Sequence, residues 1–117
     1  TLAAWSTTTP MPAKLMAHAA AEHGGRIYVM GGIARSLGAQ SAVYSSPINE
    51  DGTLGALRSE LPLPGTMMGQ SALVKGSRIY LLGGSSDSNL YTSEGQPATP
   101  SAKVLSAAIN PDGTLGA

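Results

Sequence analysis

Cysteine is absent from all 117 residues, so disulfide bridges and thiolate metal sites are excluded. That suits a reducing or an oxidising compartment equally and decides neither. Phenylalanine is absent too, and aromatic residues make up only 4% of the chain, so any core is built from Ala, Leu, Ile, Val and Met. Charge is scarce: 12% of residues carry it, against roughly 25% in an average globular domain. The surface must therefore be polar but weakly charged, rich in Ser, Thr, Asn, Gln and Gly. Seven basic and seven acidic residues cancel, which leaves no electrostatic attraction for nucleic acid or for an anionic membrane. No apolar run approaches the ~20 residues of a membrane-spanning helix. Helix is also missing. Residues 14–22 are Ala-rich, but the aligned stretch 66–74 carries Gly69 and the β-branched Thr66 and Val74, so both are read as strand.

That alignment comes from an internal repeat. Arg26-Ile27-Tyr28-Val29-Met30-Gly31-Gly32 returns as Arg78-Ile79-Tyr80-Leu81-Leu82-Gly83-Gly84. A shift of 52 positions, which lays Gly31 on Gly83, also lays Thr1-Leu2 on Thr53-Leu54, Pro10 on Pro62, Pro12 on Pro64 and Met16 on Met68. Beyond the diglycine the shift becomes 61, because the following loop is nine residues longer in the second copy. Val43 then falls on Val104, Ile48-Asn49 on Ile109-Asn110 and Asp51-Gly52 on Asp112-Gly113. A third opening phrase starts at Thr114-Leu115-Gly116-Ala117. Repeats of this period belong to stacked units that bury their faces on one another.

Each unit reads as four short strands. The first spans residues 17–22 and 69–74. The second, 26–30 and 78–82, is an apolar run of strand length with β-branched and aromatic residues. His23-Gly24-Gly25 and Lys75-Gly76-Ser77 join these as tight hairpins. The third strand spans 42–46 and 103–107. Asp51-Gly52 and Asp112-Gly113 mark the next turn, since both residue types tolerate positive φ. The fourth is 54–58, with an earlier copy at 2–6. The diglycine is expected where neighbouring units crowd and a Cβ would collide. Pro10-Met11-Pro12 and Pro62-Leu63-Pro64 suit the crossovers between units.

Four strands per unit of about 50 residues is the pattern of a propeller blade. An apolar strand ending in Gly-Gly, Tyr44 beyond it and Trp5 in the fourth strand make the chain resemble the kelch-repeat β-propellers. The Asp-Gly-Thr-Leu-Gly-Ala phrase is similar to that of bacterial kelch-like members. Leu57 and Leu105 stand where Trp5 and Tyr44 would repeat, and the third-to-fourth hairpin is extended. The resemblance implies an all-β fold of four-stranded antiparallel blades and a binding or carbohydrate-related role on a rigid disc. A few members, galactose oxidase and a sialic-acid mutarotase among them, are enzymes. The oxidase's copper site needs Cys, so that chemistry is not carried over, and no cofactor is expected.

Propellers close with roughly four to eight blades, whereas this chain encodes about two. Residues 1–6 read as an outer strand completing a neighbouring blade, 17–58 as one blade and 69–117 as most of another. Two blades alone would expose two apolar faces. The ring is expected to be completed by copies of the same chain, three giving six blades and four giving eight, or by the rest of a longer parent chain. In the first case residues 1–6 would be exchanged between copies, competing with 114–117 for the same slot.

Candidate binding residues follow from this architecture. Arg26 and Arg78 open equivalent strands, and a closed ring would set them in a circle able to bind carboxylates or sugar hydroxyls. The long loop 85–102 carries Asp87, Asn89, Tyr91 and Glu94, and its shorter counterpart 33–40 carries Arg35 and Gln40. Long loops on rigid scaffolds often carry recognition. His18 and His23 lack a third metal ligand, and Gln70 and Lys75 replace them in the other copy, so they read as structural and surface residues. Asp51 and Asp112, with Glu50, could suggest calcium, but the hairpin accounts for them more simply. Neither a nucleophile motif nor paired carboxylates appear, and no helix follows Gly31-Gly32 to make a nucleotide site. The leading reading is a non-enzymatic binding or structural scaffold, its partners copies of itself or the remainder of a longer chain. The alternatives are a carbohydrate-binding or carbohydrate-processing propeller, and an excised propeller fragment with no ligand of its own.

Overall fold

The computed structural model describes residues 4–34, 38–85 and 100–116. Among them the chain is all-β, with three antiparallel sheets and no helix. The first sheet is a four-stranded meander in the order β2 (Ala19–His23), β3 (Arg26–Met30), β6 (Val43–Pro47) and β7 (Arg58–Ser59). The second runs β8 (Ser71–Lys75), β9 (Arg78–Leu82), β10 (Val104–Ala108). A small third sheet joins β1 (Leu15–Met16), β4 (Ile33–Ala34) and β5 (Gly38–Ala39), in the order β1-β4-β5.

The repeat governs the register. Ala20 faces Val29 and Ala72 faces Leu81; Val43 faces Met30 and Val104 faces Leu82. Smaller features repeat as well. Met16 pairs with Ile33, and Met68 bridges Ser85 at the equivalent place. Ile48 bridges Leu54, as Ile109 bridges Leu115. In both turns the Asn accepts from the Gly amide and the Thr amide and hydroxyl donate to the Asp Oδ1 (3.0 and 2.6 Å for Thr53 on Asp51, the same for Thr114 on Asp112). These bonds hold both carboxyls below the usual carboxylate range. The Asp-Gly phrase is thus a self-bonded turn.

The expected second strands are found at their stated limits, and the first and third lie one or two residues further on. The fourth strand differs. Only Arg58–Ser59 pairs with β6, while residues 54–57 stay out of the ladder because Gly55 and Leu54 fold back on Pro47 and Ile48. In the earlier copy, residues 4–6 form no strand and Trp5 is 97% exposed, and residues 2–3 lie outside the described ones. The small sheet was not foreseen, because two-residue strands leave no periodic pattern to read.

The core lies between the two larger sheets. Tyr28, Met30 and Val43 come from the first; Ile79, Leu81 and Ile109 come from the second; Met67 comes from the crossover. Strand alternation sends Tyr28 and Met30 toward the second sheet, and Ile79 and Leu81 back toward the first. The inner strands β2 and β8 lie against each other. Leu63, from Pro62-Leu63-Pro64, packs on this core and its amide donates to Ser41 O, so the segment crosses between the sheets as expected. The diglycine sits at the tight approach. A Cβ on Gly31 would strike the Met67 carbonyl oxygen and lie 2.8 Å from Gln70 Nε2, and one on Gly84 would lie 2.6 Å from Met68 O.

Candidate functional site

At the hairpin end of the joint between the sheets, β3 places Arg26 and Tyr28 beside the Asp-Gly turn of the second unit. Tyr28, fully buried, donates its hydroxyl to Gly113 O at 2.6 Å. Burial pushes its phenol above the ordinary value, while the nearby Arg26 guanidinium pulls the other way. The Arg26 stem lies over Gly113 so closely that a Cβ there would fall 2.5 Å from its Cδ. Its guanidinium donates to Ser45 Oγ through Nη2 (2.9 Å) and Nε (3.3 Å).

Ser45 in turn donates to Glu60 Oε1 at 2.5 Å, and Arg58 Nε donates to the same oxygen at 2.5 Å. The Glu60 side chain is only 3% exposed. Burial raises its pKa, but the bonds from Ser45 and Arg58 outweigh that and hold the carboxyl below its usual range. Its second oxygen accepts from the Leu115 amide (3.4 Å), and Arg58 Nη2 reaches Asp112 O (3.5 Å). The cluster therefore ties the outer strand of the first sheet to the last turn of the second. A carboxylate held ionised by two donors is poorly suited to giving up protons near neutral pH. The arrangement is adhesive.

Beside this cluster lies a cleft of about 790 Å³ whose walls include His23, Arg26, Pro47, Asn110 and Asp112. Deeper in the joint, Gln70 is 5% exposed, and its Nε2 donates to Met30 O (2.8 Å) while its Oε1 has no partner. A comparison with protein families and with curated proteins returns no match.

Of the residues singled out from sequence, Arg26 is in this cluster. Arg78 occupies the equivalent place on the second sheet, exposed, with Nη2 donating to Ser106 Oγ at 3.0 Å. Gln40 is in neither. Its backbone bridges Met67 and its side chain donates to Gly38 O (2.9 Å), so it fastens the small sheet to the crossover. Arg35, Asp87, Asn89, Tyr91 and Glu94 lie outside the described residues. His18 is exposed and His23 half-buried, and among the described residues no three His, Asp or Glu side chains gather where a metal could bind. Sequence reasoning passed over Arg58 and Glu60. The signal was there as a break in the repeat, since Ser6 and Thr8 hold the corresponding places.

Proposed function

We propose that the chain is a non-enzymatic scaffold module of kelch-like propeller blades that joins head to tail with copies of itself and closes into a ring. The observation that supports this is the free face of the second sheet. On the first sheet, Ala21, Tyr28, Met30 and Val43 pack in the core shared with the second sheet. Their equivalents are Leu73, Tyr80, Leu82 and Val104, and Leu82 is 38% exposed and Val104 60%. The joint face is thus written twice, and among the described residues it is covered once. An apolar patch of that kind marks an interaction surface.

The complementary surface is also on the chain. Ile79, Leu81 and Gly113 receive the first sheet's joint face, and Ile27, Val29 and Gly52 hold the equivalent places on the first sheet, Val29 already buried there. A Cβ on Gly52 meets nothing within 4 Å, so its surface is open where that of Gly113 is covered by Arg26. Two different surfaces that match each other make a heterologous contact, which closes into a ring when the rotation permits. Glu22 stands where Val74 would repeat, which makes the contact between copies more polar than the joint within the chain.

Absolute mass by light scattering or native mass spectrometry tests this. A discrete trimer or tetramer is expected, for six or eight blades, and Leu82→Asp should return it to monomer. A wild-type chain that stays monomeric at every concentration sinks the reading.

A further inference from the structure

We infer that the extended segment from Trp5 to Thr8 of one copy adds as an outer strand to β10 of a second copy, with Ser6 opposite Ser106 and Thr7 opposite Leu105. This rests on the head-to-tail reading and specifies what closes each contact between copies. In the first sheet, β6 carries an outer partner, with Tyr44 opposite Ser59 and Ser45 opposite Arg58. Among the described residues, β10 is an edge. The repeat assigns Leu105 and Ser106 to the places of Tyr44 and Ser45, and Thr7 and Ser6 to those of Ser59 and Arg58.

The segment is already positioned for this role. Residues 4–8 are exposed, and 4–7 belong to no strand. Thr8, however, is seated. Its Oγ1 accepts from the Leu54 amide at 2.8 Å, as Glu60 Oε2 accepts from the Leu115 amide at 3.4 Å. Thr8 corresponds to Glu60 and Leu54 to Leu115, so Thr8 sits on the first sheet as Glu60 sits on the second. Thr9 Oγ1 holds the same site by donating to Leu54 O at 2.7 Å. Glu60 has Arg58–Ser59 just before it, paired on the preceding sheet. On the head-to-tail reading, the edge that matches the residues just before Thr8 is β10 of a second copy, which carries no outer partner among the described residues.

The start of the slot beside β10 repeats that of the first sheet. Leu115 bridges Ile109 and the Gly116 amide donates to Ala108 O, as Leu54 and Gly55 do on the first sheet. Leu115 and Gly116 thus take the places of Leu54 and Gly55 beside the second sheet, and the added strand takes those of residues 57–60. The Glu60 amide donates to Val43 O at 2.8 Å, so the Thr8 amide is expected to donate to Val104 O of the second copy. Main-chain addition to an exposed edge is a general mode of recognition, and it would remove an edge that otherwise invites aggregation.

A cysteine pair tests the register in a chain that has none of its own. Ser6→Cys with Ser106→Cys should oxidise to a disulfide between copies, seen as multimers on a non-reducing gel, with the reduced variant keeping the wild-type mass. Ser6→Cys with Val104→Cys is two residues out of register, where Cα atoms lie about 7 Å or more apart, and should link several-fold less. A discrete oligomer in which the Ser6–Ser106 pair holds no advantage overturns the strand addition and leaves the head-to-tail reading standing. A monomer that never cross-links overturns both.

Discussion

Tyr28 and Tyr80 stand in the same place in two nearly identical strands, and their surroundings differ. The first is fully buried and gives its hydroxyl to Gly113 O; the second is half-buried on the outer face of its sheet. Met30 is 1% exposed and its equivalent Leu82 is 38%. Nothing in the strands themselves accounts for this, because register, hairpin and diglycine are shared. What differs is the neighbour. Tyr28 and Met30 lie in the joint with the other sheet, whereas among the described residues no sheet covers the face that carries Tyr80 and Leu82.

The largest effect that would break this comparison is at the diglycine. Gly31 has φ 62° and Gly83 has φ 71°, so either changed to Ala carries the strain of a left-handed backbone. Only at Gly31 would the new methyl also strike a backbone oxygen, that of Met67; at Gly83 the nearest atom is Ser101 O at an ordinary 3.5 Å. Strain and overpacking each cost about 1–3 kcal/mol. Urea unfolding of dilute protein should therefore show a loss of about 3 kcal/mol or more for Gly31→Ala and about 1 kcal/mol for Gly83→Ala. If copies join head to tail as proposed, Gly83→Ala should also weaken association, because Leu15 O of the next copy would take the place of Met67 O. Equal losses in dilute protein would mean that the joint is not what demands the glycine.

A second, smaller effect comes from Glu60, which has no acidic counterpart at Thr8. Hydrogen bonds to charged groups contribute about 1.5–3 kcal/mol, and Glu60→Gln keeps the shape while removing the charge. A loss of about 1–2 kcal/mol at neutral pH is expected. The folded carboxyl titrates below its ordinary 4.5, so the unfolded chain binds more protons as pH falls. Its contribution is then present in full above that value and is lost as pH drops through the lower folded pKa. Asp51 and Asp112 are depressed too and remain in the variant. The difference between wild type and Glu60→Gln, followed by urea titrations from pH 7 to pH 3, isolates Glu60. It should shrink toward zero in acid, and a constant difference would deny Glu60 its ionised role.

How much of this was legible beforehand depended on the length of each signal. The second strands were found at their limits because five residues of apolar, β-branched and aromatic character are enough to read, and because they occur twice. The fourth strand was misplaced because Leu54-Gly55-Ala56-Leu57 looks extended and apolar, while its course is set by Ser46 Oγ donating to Gly55 O and the Gly55 amide to Pro47 O. Such bonds leave no periodicity. Arg26 was readable as a strand-end cation, but its partner Ser45, and Glu60 beyond Ser45, come from distant parts of the chain and are brought together only once the sheet forms. Gln70 was noted only as the residue replacing His18. That it spans the joint to Met30 O depends on the two sheets being packed.

The smallest effect would sharpen the comparison at the inner edges of the sheets. Ala17 has φ 55°, the left-handed region, and it corresponds to Gly69 with φ 68°. The two meet directly, the Gly69 amide donating to Ala17 O at 2.6 Å. One unit thus uses glycine for this turn and the other forces alanine into it. A left-handed L-residue costs about 1–2 kcal/mol, and glycine's extra freedom in the unfolded chain offsets roughly 0.5–1 kcal/mol of any gain. Ala17→Gly should therefore stabilise the fold by about 0.5–1 kcal/mol, and Gly69→Ala, with open space around its Cβ, should lose a similar amount. Paired urea midpoints check both. Opposite signs of similar size would show that the two turns share one backbone requirement and that only the side chain differs. A loss in both variants would mean that Ala17's methyl contributes packing that outweighs its strain, and that the inner edges of the two units are not interchangeable.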